Sequence, residues 1–205
     1  MSVSSLTKIT VPLATSQSAS TQGLLMPKLK FRFRATFENF GVSSDKAELT
    51  KQVADIKRPN VNFNPFAVDV YNSKVWLQGK PEWDQTTITL RDDAGGNISR
   101  LVGEQIQKQF DFMEQSSAAS GIDYKFLLRY EVLDGGNGAH TPNVLETWEL
   151  YGCQIATVDY GDMNYATSEA ATIALTVRFD NAVQTPIGTG IGTNVGRTLG
   201  TLTTG

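Results

Sequence analysis

One histidine and one cysteine limit the chemistry available to this chain of 205 residues. His140 stands in a Gly/Asn-rich turn before Thr141 and Pro142, so a Ser/His/Asp or Cys/His arrangement would have to be assembled around a loop. Cys153 lies in the apolar run WELYGC, where a small buried hydrophobe is expected and where no second cysteine offers a disulfide. A reducing compartment follows. One His with one Cys leaves no conventional zinc set, and no glycine-rich loop ends in Lys-Ser/Thr at phosphate-cradling spacing. The residues predict no enzyme, no metal site and no cofactor.

Four further constellations have a chemical reading and a plainer one. Asp92 and Asp93, followed by Gly95 and Gly96, could hold calcium, but paired acids at a strand end more often cap a turn or the next helix. Glu82, Asp84, Glu146 and Glu149 could converge as glycosidase carboxylates, though nothing singles out a pair. Lys28, Lys30, Arg32 and Arg34 alternate with Phe31 and Phe33. That period places the rings opposite the charges, in the core and away from any nucleic acid. Trp76, Trp83 and Trp148 could form a sugar platform, but aromatics near strand ends usually pack on core or subunit neighbours.

The elements that would position these residues are mostly strands. KLKFRFRATF from Lys28 puts Leu29, Phe31, Phe33, Ala35 and Phe37 on one face, the pattern of a half-buried strand. Strand-like pieces near Leu49 to Ile56 and Val68 to Leu77 flank a segment broken by Pro59, Pro65 and several Asn residues, which predicts a protruding loop. Gly79 and Pro81 precede a strand with Thr86, Ile88 and Leu90 on one face. Asn97 is placed as the N-cap of one helix over about 97–115, carrying Ile98, Leu101, Val102, Gln105, Ile106, Phe110 and Met113 at helical spacing. Strands follow over Tyr124 to Leu133, Glu146 to Val158 and Ala171 to Asp180. In the last of these, Ile173, Leu175, Val177 and Phe179 oppose Ala174, Thr176 and Arg178. The expected fold is mainly β, an antiparallel sandwich or barrel with one packed helix.

A Ser/Thr-rich stretch over 1–27 and a Gly/Thr-rich one over 184–205 read as flexible arms around a domain at 28–183. Charge is polarised: residues 1–80 carry eleven Lys/Arg against five Asp/Glu, and 81–205 carry seven against sixteen. This suits association by opposite patches or pairing within one fold. No stretch approaches the roughly 20 apolar residues that span a bilayer, and the start lacks a signal-peptide pattern. Synthesis in the cytosol is expected.

VWLQGKPEWDQTTITLRDD and ETWELYGCQIATVDYGDMNYATSEAATIALTVRFDNA resemble the tail tube proteins of contractile-tailed bacteriophages. The likeness is an ordered set: Trp76, Gly79, Trp83, Asp84, Ile88, Leu90 and Asp92 before the helix, then Trp148, Leu150, Gly152, Cys153, Tyr160-Gly161-Asp162, Glu169 and the strand from Ile173 to Asp180. It covers most of 28–183.

The resemblance implies a virion protein, made in the host cytoplasm, whose sheets join between six copies into a ring-wide β-barrel. Rings stack within a sheath between baseplate and tail terminator, and double-stranded DNA passes through without sequence-specific binding. It also implies that a loop over about 49–72 reaches the next ring, with Lys57, Arg58, Pro59, Asn60, Phe63, Pro65 and Phe66 as contact candidates. Thr176 and Arg178 are candidates for a lumen or interface face. A type VI secretion tube or another phage-derived injection machine is the near alternative, and a carbohydrate-binding β-sandwich the alternative from another class.

Overall fold

The computed structural model describes residues 27–42, 47–134, 141–166, 168–186 and 191. His140 with its turn, almost all of the N-terminal arm and most of the C-terminal tail lie outside them. The chain divides after Arg32, and the two parts are described separately. Before the division, Arg32 N–H donates to Leu29 O at 3.3 Å and its guanidinium lies 5.4 Å from the centroid of an exposed Phe31 ring. The strand expected from Lys28 therefore starts five residues later, and Phe31 is not a core residue.

After the division the chain runs β1 (Phe33–Glu38), α1 (Ala47–Gln52), β2 (Val53–Ile56), β3 (Val61–Asn62), β4 (Phe66–Val70), β5 (Ser73–Leu77), β6 (Glu82–Trp83) and β7 (Thr86–Arg91). It continues with α2 (Asn97–Gln109), β8 (Phe110–Asp111), β9 (Ser116–Ser117), α3 (Gly121–Tyr124), β10 (Phe126–Leu133), β11 (Val144–Asp159), β12 (Thr172–Arg178) and β13 (Asn181–Pro186). The main sheet has the order β1-β10-β11-β12-β7-β2, with β13 also paired to β11, and every pairing is antiparallel. Phe33 pairs with Val132 near the far end of β10.

β11 belongs to both halves of this sheet. Its first part lies between β10 and β13, and its second part, from Gln154, pairs with β12. Gly152 marks the change, with φ of 67°. That left-handed geometry favours glycine, and an added Cβ would overlap the Asp180 carboxylate. Asp180 N–H donates to Tyr151 O at 3.0 Å, and its carboxylate pairs with Lys125 Nζ at 2.6 Å. Gly152 and Asp180, far apart in sequence, thus form one corner.

The inward faces of the strands meet in a single core. Ala35, Phe37, Leu128, Tyr130, Trp148 and Leu150 from one half join Ile88, Leu90, Ile173, Leu175 and Val177 from the other. α2 adds Ile98, Leu101, Val102 and the buried Gln105. The Gln105 amide accepts from Gly41 N–H at 2.9 Å and donates to Tyr124 O at 2.6 Å, so it satisfies two loop groups that burial would otherwise strand. Cys153 is fully buried and its thiol is pushed up to about 12 by desolvation, in keeping with a packing role.

Four expected elements differ. Near Leu49 the chain forms α1 before β2, because one short helical turn carries Leu49 into the core. Val68 to Leu77 is a hairpin that turns at Tyr71 and Asn72. Asn97 is the first helical residue; Gly96 is the cap at φ of 69°, and Asp93 reaches past it to accept from Ile98 N–H at 3.0 Å. The helix ends at Gln109, where Phe110 turns to extended backbone and pairs with Ser117. Phe110 and Met113 are thereby exposed. β13 was not anticipated as a separate strand, and it extends sheet structure to Pro186.

Gly152→Ala is expected to cost about 1–3 kcal/mol, measured by chemical denaturation. Hydrogen bonding, first from Ile98 N–H, holds the Asp93 carboxyl below the usual range. Its contribution is present above the unfolded value of about 3.9 and lost as pH falls through the folded value. Asp93→Asn should therefore flatten the decline of stability below about pH 4, read from urea melts across that range.

Candidate assembly interface

The excursion between β2 and β7 is built as a stalk with a ribbon on top. At its root, Lys57 N–H donates to Thr87 O at 3.0 Å, and the Thr86 hydroxyl donates to Lys57 O. Asp84 N–H donates to Asn60 O at 2.9 Å, and the Asn60 amide returns a bond to the Asp84 carboxylate. β3 and β6 add two rungs, Val61 opposite Trp83 and Asn62 opposite Glu82. Trp83 packs on Phe179 with centroids 5.6 Å apart, which fastens the stalk to the core.

Above the rungs the two chains cross closely. A Cβ on Gly79 would overlap the Asn64 carbonyl oxygen and lie 3.0 Å from that of Phe63. Gly79 is therefore required by close backbone approach. Beyond the crossing, β4 and β5 form a two-stranded ribbon in which every residue is exposed.

Its register sorts the side chains. Phe66 lies opposite Leu77, Val68 opposite Val75 and Val70 opposite Ser73, so alternation collects five large apolar residues on one face. The other face carries Ala67 beside Trp76 and an Asp69–Lys74 ion pair at 3.5 Å. Tyr71 at the tip is 100% exposed with φ of 45°, a left-handed conformation that bulky residues rarely adopt. An isolated two-stranded hairpin is marginal in water, and an apolar stripe in solvent marks a contact surface.

The predicted contact residues divide between root and ribbon. Lys57 and Asn60 anchor the stalk, while Phe63 and Phe66 are exposed above it. Arg58 comes close to Tyr130 and works against the rise that burial imposes on that phenol. Pro59 and Pro65 stand in irregular stretches outside the strands. Val68 to Leu77, expected as one strand-like piece, supplies most of the ribbon. The left-handed Tyr71 has no signature of its own.

Other candidates separate in space or find partners. Trp148 is buried, its indole N–H donating to Glu146 at 2.6 Å, and Trp76 is exposed on the ribbon, so the three tryptophans form no common platform. Glu146 points inward, where Gln184 also donates to it at 2.7 Å. Glu149 points outward and is held below its usual range by bonds from Tyr151 and Arg129. Asp92 accepts from Asp93 N–H. No cluster of three or more metal-ligating side chains occurs among the described residues. Thr176 and Arg178 line an open depression of about 450 Å3 with Lys57, Glu82, Trp83 and Asp84. There Arg178 lies 3.6 Å from Glu82. Among the described residues no helix is long and apolar enough to cross a membrane.

This open antiparallel sheet over one helix is the fold of tube and tube-terminator proteins of contractile injection systems. A chain of the anti-feeding prophage cap, a tube terminating cap, is 14% identical, with 80% of this chain and 94% of that one covered and a TM-score of 0.58. A chain of the sheath/tube terminator of the extracellular contractile injection system PVC is 12% identical, with 80% and 99% covered and a TM-score of 0.56. One from the PVC sheath-tube complex is 14% identical, with 84% and 100% covered and a TM-score of 0.54. At these identities the likeness is one of fold. No family model and no curated protein sequence matches the chain significantly.

Gly79→Ala is expected to loosen the crossing beneath the ribbon without disturbing the core. Trypsin should then cut faster at Lys74 while the main thermal transition stays in place; limited proteolysis beside a melting curve checks both.

Proposed function

We propose that this chain is a structural subunit of the inner tube of a contractile tail, forming hexameric rings that stack into a hollow conduit. One observation carries the reading: the ribbon holds an apolar face in solvent that its own subunit leaves uncovered. Stacking covers that face against the next ring. In a phage virion the tube conducts double-stranded DNA into the host, with sheath, baseplate and tail terminator as partners. Thr176 and Arg178 belong to a face suited to the bore, because Glu82 beside Arg178 weakens any hold on phosphate.

A second reading, a tube or tube-terminator subunit of an injection particle, draws on the likeness to the anti-feeding prophage and PVC chains. Genes for capsid and terminase beside this one would identify a phage.

Negative-stain microscopy of concentrated protein should show six-fold rings or hollow tubes. Val68→Asp with Val75→Asp should abolish stacking and leave the thermal transition within about 1 kcal/mol of the parent, since both sites are exposed. Monodisperse monomers under all conditions would overturn the reading.

A further inference from the structure

The borders of the main sheet are not equivalent. On β13, the N–H groups facing away from β11 recur at alternate residues. Ala182 N–H donates to Asn181 Oδ1 at 2.9 Å, Gln184 N–H donates to Ile191 O at 2.7 Å, and Pro186 has no N–H. No donor of that border is left to recruit a strand.

The other half of the sheet ends differently. Among the described residues β2 pairs only with β7. At the opposite side, β10 stops opposite Cys153, so from Gln154 onward β11 has no second strand among the described residues. What meets that border is one side chain. Gln109 Oε1 accepts from Ile155 N–H at 2.9 Å, and Gln109 Nε2 donates to Ile155 O at 3.0 Å. A residue of an antiparallel strand makes this same pair of bonds. The amide at the end of α2 stands where a neighbouring peptide would stand.

We propose that copies of this chain join through this half of the sheet, β2 of one laid antiparallel on the second part of β11 of the next, and that Gln109 holds the receiving border until the strand arrives. The directions fit: with every pairing from β11 through β12 and β7 to β2 antiparallel, the two border strands run opposite ways. One copy's β2 therefore meets the next copy's β11 head to tail, the arrangement that closes into a ring. Both border strands carry a register shift against their inner neighbours, at Ile155/Thr157 and Val53/Asp55, and such bulges supply the curvature closure needs. The inference rests on the ring reading and adds which borders meet.

Paired cysteines in the full chain test it. Asp55→Cys with Thr157→Cys, and Ala54→Cys with Thr157→Cys or Asp55→Cys with Val158→Cys to cover a one-residue slip in either direction, should give a covalent ladder on mild oxidation of assembled protein. Thr36→Cys with Thr185→Cys, on β1 and β13, should not. Native Cys153 is buried and stays out of the reaction. Rings seen by microscopy with a ladder only from the β1/β13 pair, or from none of the pairs, overturn the assignment and leave the ring reading intact. Absence of rings under all conditions overturns both. Gln109→Ala should assemble at a several-fold lower protein concentration; an unchanged or higher threshold in a folded variant overturns the placeholder role, while the cross-linking pairs still judge the borders.

Discussion

Backbone hydrogen-bonding capacity at the rim of an open sheet governs this molecule. Every strand residue carries a donor and an acceptor, proline excepted, and a rim must be paired, covered or blunted. The described residues show several solutions at once. β13 loses its outward donors to an asparagine side chain, a returning carbonyl and a proline. The second part of β11 is met by a glutamine amide. The core itself is ordinary, formed from alternating apolar residues under one helix; the individuality of the fold lies at its margins.

Outward-facing charges are arranged to cancel locally. Arg129 reaches both Glu38 at 3.0 Å and Glu149 at 2.9 Å, and Arg34 pairs with Glu131. Exposed pairs of this kind add little stability each. Their effect is to leave few unbalanced charges on the sheet, and the basic first part and acidic second part of the chain are thus partly reconciled across β1, β10 and β11.

The strands with strict alternation were legible in the sequence. Ile173, Leu175, Val177 and Phe179 are all buried as expected, because period two has a single explanation in a half-buried strand. The excursion between β2 and β7 was legible as an interruption of the sheet but not in form. Pro59, Pro65 and Asn residues announce a loop, yet the ribbon turns at Tyr71 and Asn72, and of these two Asn72 alone is a usual turn residue. The helix end failed for another reason. Phe110 and Met113 keep helical spacing, but the chain unwinds at Gln109, whose amide bonds Ile155 across the fold. Alpha-helical periodicity cannot report a contact 46 residues away.

β11 serves two partners along its length, and this restricts how the gene can drift. A single-residue insertion between Leu150 and Gln154 would keep one half of the sheet in phase and turn the other inside out, exchanging Ile155 with its polar neighbours. Gly152 already supplies a backbone irregularity where the two halves meet. Divergent versions of this subunit should therefore differ by replacement along β11 and change in length only at connections such as the one that ends at β12.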